Sequence, residues 1–260
     1  QLERPIAKRP LRILYACMTI VGLYFVIVLV KVQISQHDFY QTKSEQNSLD
    51  HVPLFADRGV IYDRNGVELV SNTLDTVAGL TRRAYTKDHG FSNILGYVSY
   101  PAKDQKGIFW QERTIGKDGI EKEFDTELAG HNGTLLIETN VQGEVTSGGV
   151  VDRPIQGQNI SLAVDARIQK ALYEGIKALA DKSGYIGGTG VVMDITTGEL
   201  YAMTSFPEYN GDIMSRGEDK ETITHYLKSE SKPLLNRALD GVYTPGSIVK
   251  PFLAVAALQE

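Results

Sequence analysis

The chain is poor in the residues that staple or metallate small folds. It has one cysteine, Cys17, among 260 residues, so it can form neither an internal disulfide nor a cysteine zinc cluster. Its five histidines, His37, His51, His89, His131 and His225, are scattered without metal-ligand spacing, and no metal or cofactor is expected. Positive charge is not in excess: the formal net charge of −5 leaves no basic patch to argue for nucleic acid. There is no internal repeat and no low-complexity tract. What is present is ordinary folded material, 42% apolar and 23% charged, enough for one large or two ordinary domains. A secreted domain without disulfides must rely on its core, which a chain this long can supply.

The charge is unevenly spread. Residues 1–12 carry Arg4, Lys8, Arg9 and Arg12 against Glu3. Directly behind them, Ile13 to Val30 runs 18 residues without a charge. As a helix this stretch spans roughly 27 Å, close to the hydrocarbon core of a bilayer. It is too long for the apolar region of a cleaved signal peptide, and no small-x-small site follows it. The reading is an uncleaved signal anchor, with Cys17 as a small packing residue inside it. The basic flank places residues 1–12 in the cytoplasm and the bulk of the chain outside.

Residues 31–155 read as one mostly β module. Gln33 to Asp50 is polar and is expected to continue the helix out of the membrane. Val60 to Tyr62 and Val67 to Val70 are β-type runs around Asn65-Gly66, which tolerate positive φ, so a hairpin is expected. Short helical structure is expected around Gly119 to Leu128, and a strand over Gly133 to Asn140. Gly143 is expected in a turn, and Gly148-Gly149 with Pro154 should punctuate the end of the module.

From residue 156 the pattern changes. Gly157 to Asp165 alternates as a strand, and Asp165 can cap a helix. Ile168, Leu172, Ile176 and Leu179 would lie on one face of that helix, and Gly184 would stop it. Thr189 to Asp194 and Glu199 to Ser205 form a hairpin around Thr196-Thr197-Gly198. A helix laid on an antiparallel hairpin is an α+β beginning. Residues 208–232 read as a loop with a short helix. From Ser247 the chain reads as an apolar helix, with Pro251 tolerable near its start.

One local pattern carries chemistry. Ser247 and Lys250 stand three apart at the head of that helix, behind a Pro245-Gly246 turn. Residues i and i+3 share a helix face, so the lysine can reach the serine oxygen. A serine hydroxyl needs such a base to act as a nucleophile, and burial together with the helix dipole favours a neutral lysine. Ser-x-x-Lys is the nucleophile motif of β-lactamases and penicillin-binding proteins. The tetrapeptide recurs at Ser229 to Lys232, but within a charged stretch that meets Pro233, and that match reads as chance.

The segment from Pro233 to Pro251, PLLNRALDGVYTPGSIVKP, closely resembles the active-site entry of class B penicillin-binding proteins. Other pieces match in order. Arg58-Gly59 with Asp63-Arg64-Asn65-Gly66, then Ile94 to Val98 and Gly119 to Lys122, look like landmarks of the family's pedestal. Asp165 with Gln169, Val192 to Asp194, Thr197 to Glu199 and Ser205 to Pro207 resemble the opening of its transpeptidase domain. The elongation type fits better than the division type. The resemblance implies an α+β architecture. A transmembrane helix (13–30) would follow a cytoplasmic tail (1–12). A pedestal or dimerisation domain (31–155) and the N-terminal part of a serine β-lactamase-like transpeptidase domain (156–260) would come next. It implies a bacterial cytoplasmic-membrane protein whose Ser247 is acylated by peptidoglycan stem peptides or β-lactams, with Lys250 taking the proton. Cell-elongation or division proteins would be partners through the pedestal. Two departures stand out. The stretch between Asn72 and Phe91 is short, so a head subdomain is expected to be missing. The family's downstream Ser-x-Asn and Lys-Thr-Gly occur nowhere in the 260 residues. The chain is therefore expected to be a truncated and inactive portion of the enzyme or, alternatively, a non-catalytic membrane-anchored scaffold of the wall-synthesis machinery. The hairpin and the Ser247 helix are expected to lack packing partners.

Overall fold

The computed structural model describes residues 8–36, 49–75, 80–105, 107, 109–139, 145–244 and 246–259. The chain forms two compact units. The first comprises residues 1–52 and 135–151. Its helix α1 (Lys8–Val30) runs on through a π-helical turn at Lys31–Ser35. The 23 residues Arg12–Ile34 are long and apolar enough to cross a membrane, and their side chains are exposed. Residues 37–48 lie outside the described residues. Beyond them Leu49–Leu54 is strand β1, so the polar stretch does not stay helical as far as Asp50. β1 joins β9 (Gly133–Thr139) and β10 (Val145–Asp152) in a sheet ordered β1-β9-β10. Gly148 and Gly149 lie inside β10 rather than ending the module: its side chains are exposed throughout, so little packing is lost there. Gly143 falls outside the described residues.

The second unit comprises residues 53–134 and 152–260. Its principal sheet is ordered β11-β2-β3-β4. The expected hairpin joins β2 (Ile61–Tyr62) to β3 (Glu68–Asp75), and β4 (Leu80–Tyr85) continues it antiparallel, with Ser71 opposite Ala84. β11 (Ile160–Ser161) pairs parallel with β2, and the strand expected over 157–165 is confined to these two residues. Small elements follow β4: α2 (Ser92–Leu95), β5 (Val98–Ser99), β6 (Ala102–Lys103), β7 (Phe109–Gln111) and β8 (Ile115–Gly116). The helical stretch near residue 120 is two short helices, α3 (Gly119–Glu123) and α4 (Asp125–Ala129). One hydrophobic core gathers Ile61, Leu69 and Val70 from the sheet with Phe91, Ile94, Leu95, Leu128 and Val164.

An ionic cluster sits beside this core. Glu121 is fully buried, and its carboxylate takes Arg58 Nε at 2.5 Å and Arg83 Nε at 2.8 Å. Arg58 also meets Asp125 at 2.8 Å and donates to the Glu121 carbonyl at 2.6 Å. Arg83 donates to Asn72 Oδ1 at 2.8 Å, and Asn72 in turn donates to the Arg58 carbonyl at 2.6 Å. Removing one partner of such a cluster leaves the others buried without compensation. Glu121→Gln is expected to cost about 3–5 kcal/mol, read as a fall in the urea midpoint at unchanged slope.

α5 (Ala166–Ser183) lies on the hairpin of β12 (Gly188–Met193) and β13 (Leu200–Phe206). Asp165 caps it through the Arg167 N–H, and Gly184 ends it in a left-handed conformation, as expected. Its buried stripe is centred on Gln169, Tyr173 and Ala180, with Leu172 and Ile176 partly covered against Gly190 and Gly188. Ile168 and Leu179 remain 37% and 57% exposed, because a cover two strands wide cannot reach them. The hairpin has no further sheet partner among the described residues, as expected. Residues 208–232 hold two short helices rather than one, α6 (Gly211–Arg216) and α7 (Lys220–Lys228).

Asp63 ties the β2–β3 hairpin to α5. Its oxygens accept from the N–H groups of Asn65 at 2.7 Å, Val67 at 2.8 Å and Ala166 at 3.1 Å. Burial pushes its carboxyl up, but these bonds outweigh burial and hold it below the ordinary value. The folded state therefore binds the proton less readily than the unfolded one. The stabilisation is complete above about pH 4 and is lost as pH falls through the lower folded value. Asp63→Asn is expected to lower stability at pH 7, and its deficit relative to the parent should shrink steadily in urea melts below about pH 4.

Candidate active site

The path toward Ser247 starts at α5. Gln169 is fully buried, and its side-chain amide donates to the carbonyls of Gly90 and Met203 and accepts from the Met203 N–H at 2.8 Å. One glutamine thereby joins α5, β13 and the 86–91 segment. Gly90 sits at φ +97°, and a Cβ there would lie 2.8 Å from Tyr173 Cβ, so the position requires glycine. Thr204 Oγ1 adds a bond to the Gly90 carbonyl at 3.1 Å.

β13 then holds the segment that leads to the nucleophile motif. Ser205 Oγ donates to the Leu235 carbonyl at 3.0 Å and accepts from the Arg237 N–H at 3.2 Å. The Arg237 guanidinium is buried and donates to the carbonyls of Ser231 and Lys232. On the other side Asn93 of α2 donates to the Pro233 carbonyl, and Asn236 donates to the Asn93 carbonyl, both at 3.3 Å. Pro233 to Ala238 is thus fastened from two directions.

Past Ala238 the fastening stops. Leu239 is 69% and Val242 99% exposed. Pro245 lies outside the described residues. Gly246 adopts φ +58°, which suits the turn expected before the serine. Ser247 lies in a 3₁₀ turn (Gly246–Val249), and Lys250 is the first residue of α8 (Lys250–Gln259). The helix thus opens with a tighter turn than a pure α-helix starting at Ser247, and in such a turn residues i and i+3 eclipse. Both side chains are exposed, and no hydrogen bond joins them among the described residues. Ile248, Phe252, Leu253, Val255 and Leu258 are exposed too, as expected for an apolar helix without a cover. Acyl transfer needs donors converging on the reacting oxygen, and among the described residues no donor meets Ser247. The second Ser-x-x-Lys match is a turn at the end of α7. Ser229 Oγ lies 2.8 Å from Ser231 Oγ, and Lys232 is the left-handed residue of the turn at φ +44°.

Asn93 was not singled out from the sequence. Its role depends on carbonyls some 140 residues away, and no local pattern signals that. Gln169 and Arg237 stood out only within the resemblance.

Two family models match the chain: the penicillin-binding protein dimerisation domain over residues 76–162 and the penicillin-binding protein transpeptidase domain over residues 188–260. Peptidoglycan D,D-transpeptidase MrdA of Escherichia coli K12 is 27% identical over 332 aligned positions, covering 95% of this chain and 51% of that protein. The PBP2 of Pseudomonas aeruginosa is similar in structure at a TM-score of 0.62 and 30% identity, covering 80% of this chain and 42% of that one. Helicobacter pylori PBP2, solved as a complex with MreC, has the same fold at a TM-score of 0.60 and 22% identity, covering 82% and 52%. The chain belongs to the class B penicillin-binding proteins, and within them to the elongation type that MrdA represents. It spans about half the length of the curated relatives it matches. The E. coli alignment occupies 332 positions against a chain of 260 residues, so that relative carries residues within the matched span that have no counterpart here.

Gln169→Leu is expected to leave the Met203 N–H and carbonyl without their side-chain partner, while the Gly90 carbonyl keeps Thr204 Oγ1, at about 1–3 kcal/mol for each group left unsatisfied. Hydrogen exchange should show the Met203 amide losing protection while the Ile61 amide in β2 keeps it.

Proposed function

We propose that these residues are the anchor, pedestal and nucleophile-bearing part of a peptidoglycan D,D-transpeptidase. The observation that carries this reading is the Ser247-x-x-Lys250 pair, which lies within the matched transpeptidase region behind a lead-in held by Arg237 and Asn93. Ser247 Oγ attacks the carbonyl of the penultimate D-alanine of a stem peptide while Lys250 takes its proton. The terminal D-alanine leaves, and an acyl ester remains on Ser247. An amine of a neighbouring strand then takes the acyl group, forming the crosslink and freeing the serine. A β-lactam would open on the same oxygen. The domain layout that goes with this reading is an anchor at 13–30, a pedestal at 31–155 and part of the transpeptidase domain at 156–260. The basic flank supports a cytoplasmic N-terminus with the bulk outside the cytoplasmic membrane. The complex in which the H. pylori relative was solved supports an MreC-type elongation partner for the pedestal.

A second reading for the 260 residues by themselves is a membrane-anchored scaffold of the wall-synthesis machinery, which rests on the anchor and the pedestal and needs no reaction at Ser247. Labelling with a fluorescent penicillin separates the two. The 260 residues alone are expected to form no stable adduct. A product extended by an in-frame continuation with Ser-x-Asn and Lys-Thr-Gly is expected to label on Ser247 and to lose the label in Ser247→Ala. Stable labelling of the 260 residues would overturn the first expectation. An extended product that fails to label would leave the scaffold reading.

A further inference from the structure

A cleft of about 400 Å³ lies within the second unit, between the 85–95 segment, α5, residues 208–212 and α7. Neither Ser247 nor Lys250 lines it. Its size is in the range of small-molecule sites. Five aromatic side chains form the walls: Tyr85, Phe91, Tyr173, Tyr209 and Tyr226. Three of their hydroxyls are occupied, that of Tyr173 by the Glu208 N–H. Tyr85 accepts from Ser215 Oγ at 3.3 Å, and Tyr209 donates to the Ser92 carbonyl at 2.9 Å. Tyr209 is itself only 2% exposed, so ring surface is offered by the half-buried Tyr85 and Tyr226, and ring faces attract cations.

The charged lining has the complementary sign. Asp88, Glu208 and Asp212 line the cleft, against Lys87 as the one lysine or arginine in the lining. Asp88 is paired with Lys170 at 2.7 Å. Glu208 accepts from the N–H groups of Gly90 at 2.9 Å and Ser92 at 3.1 Å and faces His89 Nδ1 at 3.1 Å. Asp212 is half-buried and forms no salt bridge among the described residues. It also borders a second hollow lined by Arg82, Arg83 and Arg216, yet those cations do not pair with it. Arg82 is held by Asp75 and Glu218, Arg83 by Glu121, and Arg216 acts on Asp212 only through space. Burial pushes the Asp212 carboxyl up, offset only in part by the Tyr85 N–H and Arg216. A cation from outside would stabilise this carboxylate. A divalent metal does not suit the place, since it needs about six oxygen ligands and one carboxylate is open. A guanidinium uses both carboxylate oxygens at once, and the Tyr85 N–H already bonds to this carboxylate.

We propose that this cleft binds an organic ammonium group on a slim alkyl chain, with its charge at Asp212 and its methylenes against the tyrosine rings. The amine can come from a free aliphatic diamine or from a lysine-like side chain of a peptide. Calorimetric titration of the detergent-solubilised chain uses 1,5-diaminopentane for the first source and Nα-acetyl-lysine amide for the second, with 1,5-pentanediol as the neutral control. At least one amine is expected to bind about tenfold or more tighter than the diol. Asp212→Asn should weaken that amine about tenfold. Lys87→Gln should tighten it by about threefold, since a like charge leaves the lining. A gain of affinity cannot come from misfolding, so the Lys87 variant tests the site even if Asp212→Asn fails to fold. The preferred amine identifies the source. Equal binding of the diol, no saturation by either amine, or a Lys87→Gln variant that binds no tighter would each overturn the proposal.

Discussion

The second unit depends on one carboxylate that never meets solvent. Glu121 holds Arg58, which precedes the first strand of the sheet, and Arg83, which lies on its last. A hydrophobic core alone would tolerate sliding of these pieces, because apolar contact is non-directional. A guanidinium against a carboxylate is not tolerant in that way, since its donors have a fixed fork geometry. Arg83 also grips Asn72, and Asn72 grips the backbone of Arg58, so the β3–β4 register and the approach to β2 are set together. Burying the charges is costly, and the cluster offsets that cost by setting each guanidinium against a carboxylate. What it contributes is placement more than net stability.

From that frame a series of directional bonds leads toward the Ser-x-x-Lys motif. Asp63 reaches from the hairpin to the first N–H of α5. Asp165 beside it is held ionised by its bonds to Arg167 and Asn65, with its carboxyl well below the usual range. Four residues on, Gln169 fixes the helix to β13 and to Gly90. Two residues further along β13 from Met203, Ser205 takes hold of Leu235 and Arg237. Most links end on a backbone atom, so they constrain the path of the chain more than any one side chain.

Much of this was legible in the sequence where the signal is local. The 60–70 hairpin follows from Asn65-Gly66 between β-type runs, and α5 follows from Asp165 at one end and Gly184 at the other. The Ser-x-x-Lys decoy at Ser229 was separable by its charged surroundings. The misreadings have a common cause. The α5 stripe was read from aliphatic residues alone, whereas its buried centre is Gln169 and Tyr173, polar or amphipathic residues whose burial depends on partners far along the chain. The Glu121 cluster and Asn93 were illegible for the same reason. Gly148-Gly149 was read as punctuation because glycine usually interrupts a strand, yet in an exposed strand there is little packing for it to lose.

Ala238 and Ser247 differ in what holds them. α8 is apolar on every side, the pattern of a helix that belongs inside a core. At ten residues it is marginal on its own in water, so its order must come from whatever packs against it. The hairpin residues Val191, Met193 and Ile195 are exposed as well. The lead-in is thus fixed by directional bonds to β13 and α2, whereas α8 carries none of that kind to the rest of the second unit among the described residues. In the reading proposed above, a serine at the head of such a helix acts as a nucleophile only where a base and oxyanion donors are held beside it, and that placement depends on the packing of α8.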